Sequence, residues 1–277
     1  MSGLSATIEG IGYWSRGLPS WDAARDYVRD GTLPEAAPPR PSPQLLAPNE
    51  RRRAPETVAV ALEVALAACA AAGREPATLP SVFASAHGDL AITDYMCATL
   101  AVEPATISPT RFHNSVHNAA AGYWTIGAGC MQAATAISAF DASFAQGLIE
   151  ALVQLAAGSE AVLLVAYDSE AVGPLAMVSR SAGLLGGALV LSQREFTGAP
   201  RLRLSLVDAD APVPGGALAR MVGDNASAPM LPVFEMLALQ QDARVMLKAG
   251  PGRALQVEIM QMETMHMESM HTESPHA

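Results

Sequence analysis

Arg111 to Glu150 reads RFHNSVHNAAAGYWTIGAGCMQAATAISAFDASFAQGLIE, and the apolar run AVLLVAYDSE (Ala161–Glu170) follows closely. The small residues Ala119–Gly122 suit a helix that packs with its backbone close to a neighbour. Glycines then break the chain at Gly127 and Gly129, and an extended stretch leads to an abrupt turn at Ser138–Phe144. A second helix is predicted from about Asp141 to Ala157. It puts Phe144, Leu148, Leu152 and Leu155 on one face at helical spacing, and Gly158 ends it. Val162–Ala166 is a continuous apolar run, the mark of a strand covered on both faces.

Working outward, Ala6–Tyr13 predicts a first strand, and Pro19-Ser20-Trp21-Asp22 opens a short helix to about Arg29. The segment Leu33–Pro48 holds six of the chain's 20 prolines, too many for regular structure, and predicts an ordered surface loop. Pro55 stands where a helix tolerates proline, and Glu56–Gly73 is apolar almost all round, so this helix should lie buried between layers. Ser81–Ala86 predicts a second strand, His87-Gly88-Asp89 a turn, and Leu90–Val102 a helix. Gly183–Leu191 and Arg201–Val207 predict a β-hairpin or two neighbouring strands. Beyond Asp208 the pattern weakens to a helix near Phe234–Leu239 and a strand at Ala254–Ile259. Strands alternate with helices throughout, which predicts a layered α/β fold. Residues 260–277, rich in Met and His, repeat approximately as METMH/MESMH and predict a disordered tail outside a domain spanning 1–259.

The chain's 277 residues are 50% apolar but only 5% aromatic, as expected of closely packed alanine-rich helices. A net charge of −10 argues against a nucleic-acid partner. The one basic run, Arg51-Arg52-Arg53, is flanked by Glu50 and Glu56 and is placed at a helix start. Cys69, Cys97 and Cys130 are too widely and irregularly spaced for a disulfide framework or a zinc site, which fits a reducing cytoplasm. The N-terminus lacks a signal-peptide pattern, and no apolar run approaches the length of a membrane span.

Few motifs carry chemistry. No GxSxG, Walker or HExxH motif occurs, and Gly127-Ala128-Gly129 lacks the third glycine of a dinucleotide site. His113 and His117 stand four apart, the spacing of ligands on one helix face, but no third ligand accompanies them, so no metal is expected. Cys130 lies about ten residues before the turn and is read as a buried or loop thiol.

FHNSVHNAAAGYW, SAFDASFAQGLIEA and VLLVAYD together resemble the nucleophile-bearing half of the β-ketoacyl synthases of the thiolase fold. The resemblance implies a thiolase-like layered α/β sandwich, the N-terminal half only, plus a short C-terminal extension. In that family a cysteine sits where the extended stretch turns into the second helix. Such an elbow projects one side chain into a cleft, and the helix N-terminus favours the thiolate. Here Asp141 or Phe140 takes that place, with Asp141 favoured by counting back from Gly158, and neither is an acyl-transfer nucleophile. Asp141 also reads as the helix N-cap. The two catalytic histidines that the family draws from a second half, one in a motif resembling HGTGT, are absent as well.

The resemblance is therefore to short, Cys-less chain length factors of the ketosynthase pairs that build aryl polyenes and related type II polyketides. It implies a non-catalytic subunit without a cofactor, paired with a catalytic ketosynthase and served by an acyl carrier protein. Its helix Ala119–Trp124 would line the dimer interface. Phe112, His113, His117, Asn118, Tyr123, Trp124, Met131, Phe140 and Phe144 are the candidates for the interface and the acyl tunnel. Two other functions remain open: a stand-alone acyltransferase or malonyl decarboxylase using Cys130 or Asp141, and a scaffold for acyl carrier protein.

Overall fold

The strand Ala161–Asp168 is buried along its whole length, and its side chains divide between two cores. Val162, Leu164 and Ala166 enter one, while Ala161, Leu163, Val165 and Tyr167 enter the other, the period-two split of a strand covered on both faces. The structure, a computed structural model, describes residues 4–261. Chain order is β1 (Leu4–Ser15), α1 (Trp21–Asp30), α2 (Pro48–Arg53), α3 (Glu56–Ala72), β2 (Ser81–Ala84), α4 (Leu90–Val102), α5 (Pro109–Asn114), α6 (Ala119–Gly127) and β3 (Ala134–Ile137). It continues through α7 (Ser143–Ala156), β4 (Ala161–Asp168), β5 (Leu185–Ser192), β6 (Arg201–Val207), α8 (Ala217–Val222), α9 (Leu231–Leu239), β7 (Ala243–Gly250) and β8 (Arg253–Met260).

One sheet of eight strands runs β3-β2-β4-β5-β1-β6-β8-β7. β2 is parallel to both β3 and β4, and the remaining neighbours are antiparallel. Helices α1, α7, α8 and α9 cover one face, packed around Phe144, Leu148, Leu152 and Phe234. Helices α3 and α6 cover the other, around Trp14, Phe83, Trp124 and Tyr167. Past β1 only the first face is covered. There β6 alternates buried Leu202 and Leu204 with exposed Arg203 and Ser205. Glu258 of β8 stands between Arg203 and Arg244 on the open face, a polar ladder suited to water.

Glycines let α3 lie directly on β1. A Cβ at Gly12 would overlap the carbonyl oxygen of Val64, and one at Gly10 that of Ala68. The irregularity of β1 between Ile8 and Gly10 keeps both glycines and Trp14 facing α3, while Ala6, Ile8 and Tyr13 face the other core. Glu9, in that irregularity, receives Arg74 in a two-pronged pair at 2.7 and 2.8 Å, just past the α3 cap Gly73.

Several expectations change. Gly183–Leu191 and Arg201–Val207 do not pair, because β1 hydrogen-bonds along both edges and separates β5 from β6. Arg51–Arg53 close α2 rather than opening a helix, which places their charge at the favourable C-terminal end. The stretch around His113 and His117 is two helices broken at Ser115–Asn118, so the two imidazoles do not share a helix face. Met260, placed in the tail by sequence, ends β8, and the predicted disorder of the residues beyond Gln261 lies outside the described residues.

The α3–β1 contact predicts a sharp loss for Gly12→Val. Replacing a backbone-to-backbone contact with a branched side chain should cost about 3 kcal/mol or more by chemical denaturation. A cost below about 1 kcal/mol would mean that α3 does not lie on β1 as described.

Candidate functional site

β3 ends at Ile137 and α7 begins at Ser143, and a single 3-10 turn, Phe140–Ala142, joins them. Phe140 has φ of +51°, one of two non-glycine residues with positive φ among the described residues. Left-handed backbone costs a bulky L-residue roughly 1–2 kcal/mol, and such strain persists only where its surroundings over-determine it. Those surroundings are visible. The Ser143 hydroxyl accepts from the Ala139 N–H at 2.9 Å and donates to the Phe140 carbonyl at 2.6 Å. One residue earlier, Ser138 Oγ donates to the Ala86 carbonyl at 2.7 Å. The clamp holds the backbone only, because the Phe140 side chain is 70% exposed.

Asp141 is not the cap of α7. Ala142 occupies the N-cap, and the Asp141 carboxylate turns away to Lys248 of β7 at 2.6 Å, an exposed pair of small energetic weight. Gln146 Nε2 also donates to the Ala249 carbonyl at 2.7 Å, so β7 flanks the elbow at two points.

Below the elbow, at the ends of β2 and β4, lies the fully buried carboxylate of Asp168. Ser85 Oγ and Ser227 Oγ each donate to it at 2.7 Å, and the Ala86 N–H donates at 3.1 Å. His87 Nδ1 stands 3.5 Å away. Burial pushes the Asp168 carboxyl up, and these donors oppose that rise. Ser85 carries the network onward: its carbonyl meets His117 Nε2 at 3.0 Å, and its N–H donates to Ile137 at the end of β3. Asn225 donates to the Asp168 and Ala182 carbonyls, at 3.2 and 2.9 Å, tying in the C-terminal segment.

Beside α6 is a cleft of about 550 Å³ whose lining includes Phe112, His113, Asn118, Gly122 and Tyr123. Four of the residues singled out by sequence thus meet there, with the His113 ring edge-on to Tyr123. His117 lies behind the cleft and binds Ser85. Trp124 and Phe144 are buried in the two opposite cores, and Met131 is 95% exposed and away from the cleft lining. Sequence reasoning missed Leu46 and Glu50, which reach the cleft from a distant segment by no local signal. It also missed the assignment of Gly122, whose one signal is a glycine inside a helix. Cys130 is buried and points at the Leu79 carbonyl. Among the described residues no three or more His, Cys, Asp or Glu side chains gather as a metal site, and no helix is long and apolar enough to cross a membrane.

A sheet with helical layers on both faces, and a strained elbow between an edge strand and a buried helix, define a thiolase-like half-domain. Residues 21–214 match the N-terminal domain of the β-ketoacyl synthases, and the chain belongs to that family. No curated protein matches it. Among solved structures, it is similar to a chain from a ketosynthase (ApeO) in complex with its chain length factor (ApeC) from Xenorhabdus doucetiae. That likeness has a TM-score of 0.71 at 23% identity, over 92% of this chain and 99% of that one. It is similar also to a chain of AntDE:AntF, a type II acyl carrier protein in complex with its ketosynthase (TM-score 0.73, 12% identity, 95% and 100% covered). A third likeness is to the ishigamide ketosynthase/chain length factor (TM-score 0.71, 14% identity, 94% and 100% covered). At these identities the likeness establishes the shared fold.

Two measurements bear on the site. Asp168→Ala strands two hydroxyls and an N–H in the core and should cost on the order of 3–5 kcal/mol in denaturant unfolding, against under about 1 kcal/mol if the network is incidental. Phe140→Cys places a thiol on the elbow, where its alkylation at neutral pH should exceed that of exposed Cys97 by about tenfold. Cys69, whose thiol burial pushes up to about 12, should stay unreactive in the native protein. An elbow thiol no faster than Cys97 would show that the turn does not favour a thiolate.

Proposed function

We propose that this chain is a non-catalytic chain length factor. It pairs with a catalytic ketosynthase subunit and lends walls to that subunit's acyl tunnel, while acyl carrier protein brings the substrates. The observation that carries this reading is the elbow. A phenylalanine occupies the left-handed position from which a nucleophile would project, and it cannot attack a thioester. Phe140 thus takes the degenerate nucleophile position in preference to Asp141.

The surface supports pairing. Among the described residues, nothing hydrogen-bonds the outer edge of β3, and open strand edges recruit other chains. Ile126 of α6 and Met131, just before β3, stand exposed nearby, apolar side chains suited to a partner. Three of the solved structures with this fold are named for ketosynthases, two of them together with a chain length factor. Acyl transfer by the chain itself has weaker support. Cys130 is buried against a carbonyl, and Asp141 is held by Lys248, so neither has a base beside it.

Co-expression with its ketosynthase should yield a one-to-one complex that condenses malonyl units when neither subunit does so alone. Within that complex, Phe112→Ala removes a ring from the cleft rim and should lengthen products by at least one two-carbon unit. Because Phe112 is largely exposed, the stability of the chain should stay within about 0.5 kcal/mol. Unchanged products from an intact pair would count against tunnel shaping and favour a scaffold. Trp124 and Phe144 are unsuitable for this experiment, since truncating either core ring should cost about 3–5 kcal/mol of stability.

A further inference from the structure

We infer that the cleft beside α6 receives the far end of an acyl chain that carries a hydroxyl there, and that Glu50, His113 and Asn118 read it; this rests on the tunnel-wall reading above. The cleft of about 550 Å³ has apolar walls in Leu46 and Val116, yet Glu50, His113, Asn118 and Tyr123 bring hydrogen-bonding groups into the same lining. A plain alkyl end leaves such groups without partners once a second subunit closes over them and excludes water. A hydroxyl end donates to one of them and accepts from another.

Among the described residues these groups are not spent on the chain itself. Asn118 is the N-cap of α6, where an asparagine ordinarily accepts from the first N–H groups of its helix. Here it makes no such bond, and its amide is left to the cleft. The His113 ring stands edge-on to Tyr123, 6.1 Å between centroids, which sets both rings on one wall. Glu50 is the stronger case. Three arginines follow it in α2, but Arg51 donates to the Leu46 carbonyl at 2.9 Å and Arg52 to Asn49. None of the ion pairs among the described residues uses Glu50. A carboxylate followed by three cations thus lines the cleft unpaired.

The same set decides which ends are refused. An ionised Glu50 accepts hydrogen bonds and donates none, so it suits an O–H and repels a carboxylate. Asn118 offers donors and an acceptor, and a neutral imidazole offers one of each. An uncharged hydroxyl therefore meets complementary groups, an alkyl end meets none, and an anionic end meets a like charge. Glu50, His113 and Asn118 are all exposed in the isolated chain, where water serves them. The selectivity arises only in the closed pair.

The experiment gives the co-expressed ketosynthase pair carrier-bound primers from hexanoyl to dodecanoyl, each made with a methyl, a hydroxyl or a carboxyl far end. Their kcat/KM values for extension with malonyl units are compared, and size-exclusion chromatography follows pairing. The expected result is a preference for the hydroxyl end that is absent from the shortest primers. It should reach roughly tenfold over methyl once the end is long enough to enter the cleft. Glu50→Gln should relieve the discrimination against carboxyl by about tenfold while keeping hydroxyl above methyl. Glu50→Leu combined with Asn118→Leu should turn the preference towards methyl. Equal values for the three ends at every length, or a preference that these variants leave unmoved, overturn the inference. Loss of the pair already at Glu50→Gln also overturns it, in favour of an ion pair between Glu50 and the partner subunit. Phe112→Ala, run in parallel, separates the two levels of inference. If it shifts product length while no far-end preference exists, the tunnel wall stands and only the hydroxyl reading fails; if it shifts nothing either, the tunnel reading fails too.

Discussion

The buried carboxylate of Asp168 is the constraint on which the functional half of the molecule depends. An ionisable group without solvent must be surrounded by donors, and the donors come from two separate segments: Ser85 and Ala86 just after β2, and Ser227 in the C-terminal region. Satisfying one side chain therefore fixes the ends of two parallel strands and the loops above them. The elbow and the cleft are both reached through Ser85 and Ala86. Ser138 hangs from the Ala86 carbonyl, and His117, behind the cleft, meets the Ser85 carbonyl. Disturbing the carboxylate would loosen both places together.

That arrangement also accounts for how the elbow is held. The left-handed backbone at Phe140 gains nothing from its own side chain, which is mostly in solvent, and the Ser143 and Ser138 hydroxyls hold it in place. These contacts also set where β3 ends and α7 begins. Phe144 and Leu148 can enter their core, and β3 can present an open edge, only if the turn is this tight. The strain thus serves the shape of the surface, whether or not a nucleophile stands on it.

Most of the layered architecture was legible in the sequence, because burial leaves a period. The uninterrupted apolar run of β4 and the all-round apolar α3 announce elements covered on both sides. β7 escaped notice because its burial follows no clean alternation, and α8 is a single short helix behind a proline-rich loop. Strand order was illegible where it depends on β1. Nothing local says that residues 4–15 will insert between β5 and β6, strands from the other end of the chain. In the site, the aromatic and His-Asn positions of the cleft could be named from the motif. The displacement of Asp141 could not, since its partner Lys248 lies 107 residues further along. Asp168 looked like the polar end of a strand, and only the fold brings its donors together.

Intact-protein mass spectrometry of the working pair, quenched during turnover, reads which subunit carries the acyl group. A non-catalytic partner should keep its unmodified mass at every time point while acyl mass accumulates on the ketosynthase subunit. A covalent acyl adduct on this chain, appearing and decaying at the rate of turnover, would contradict it.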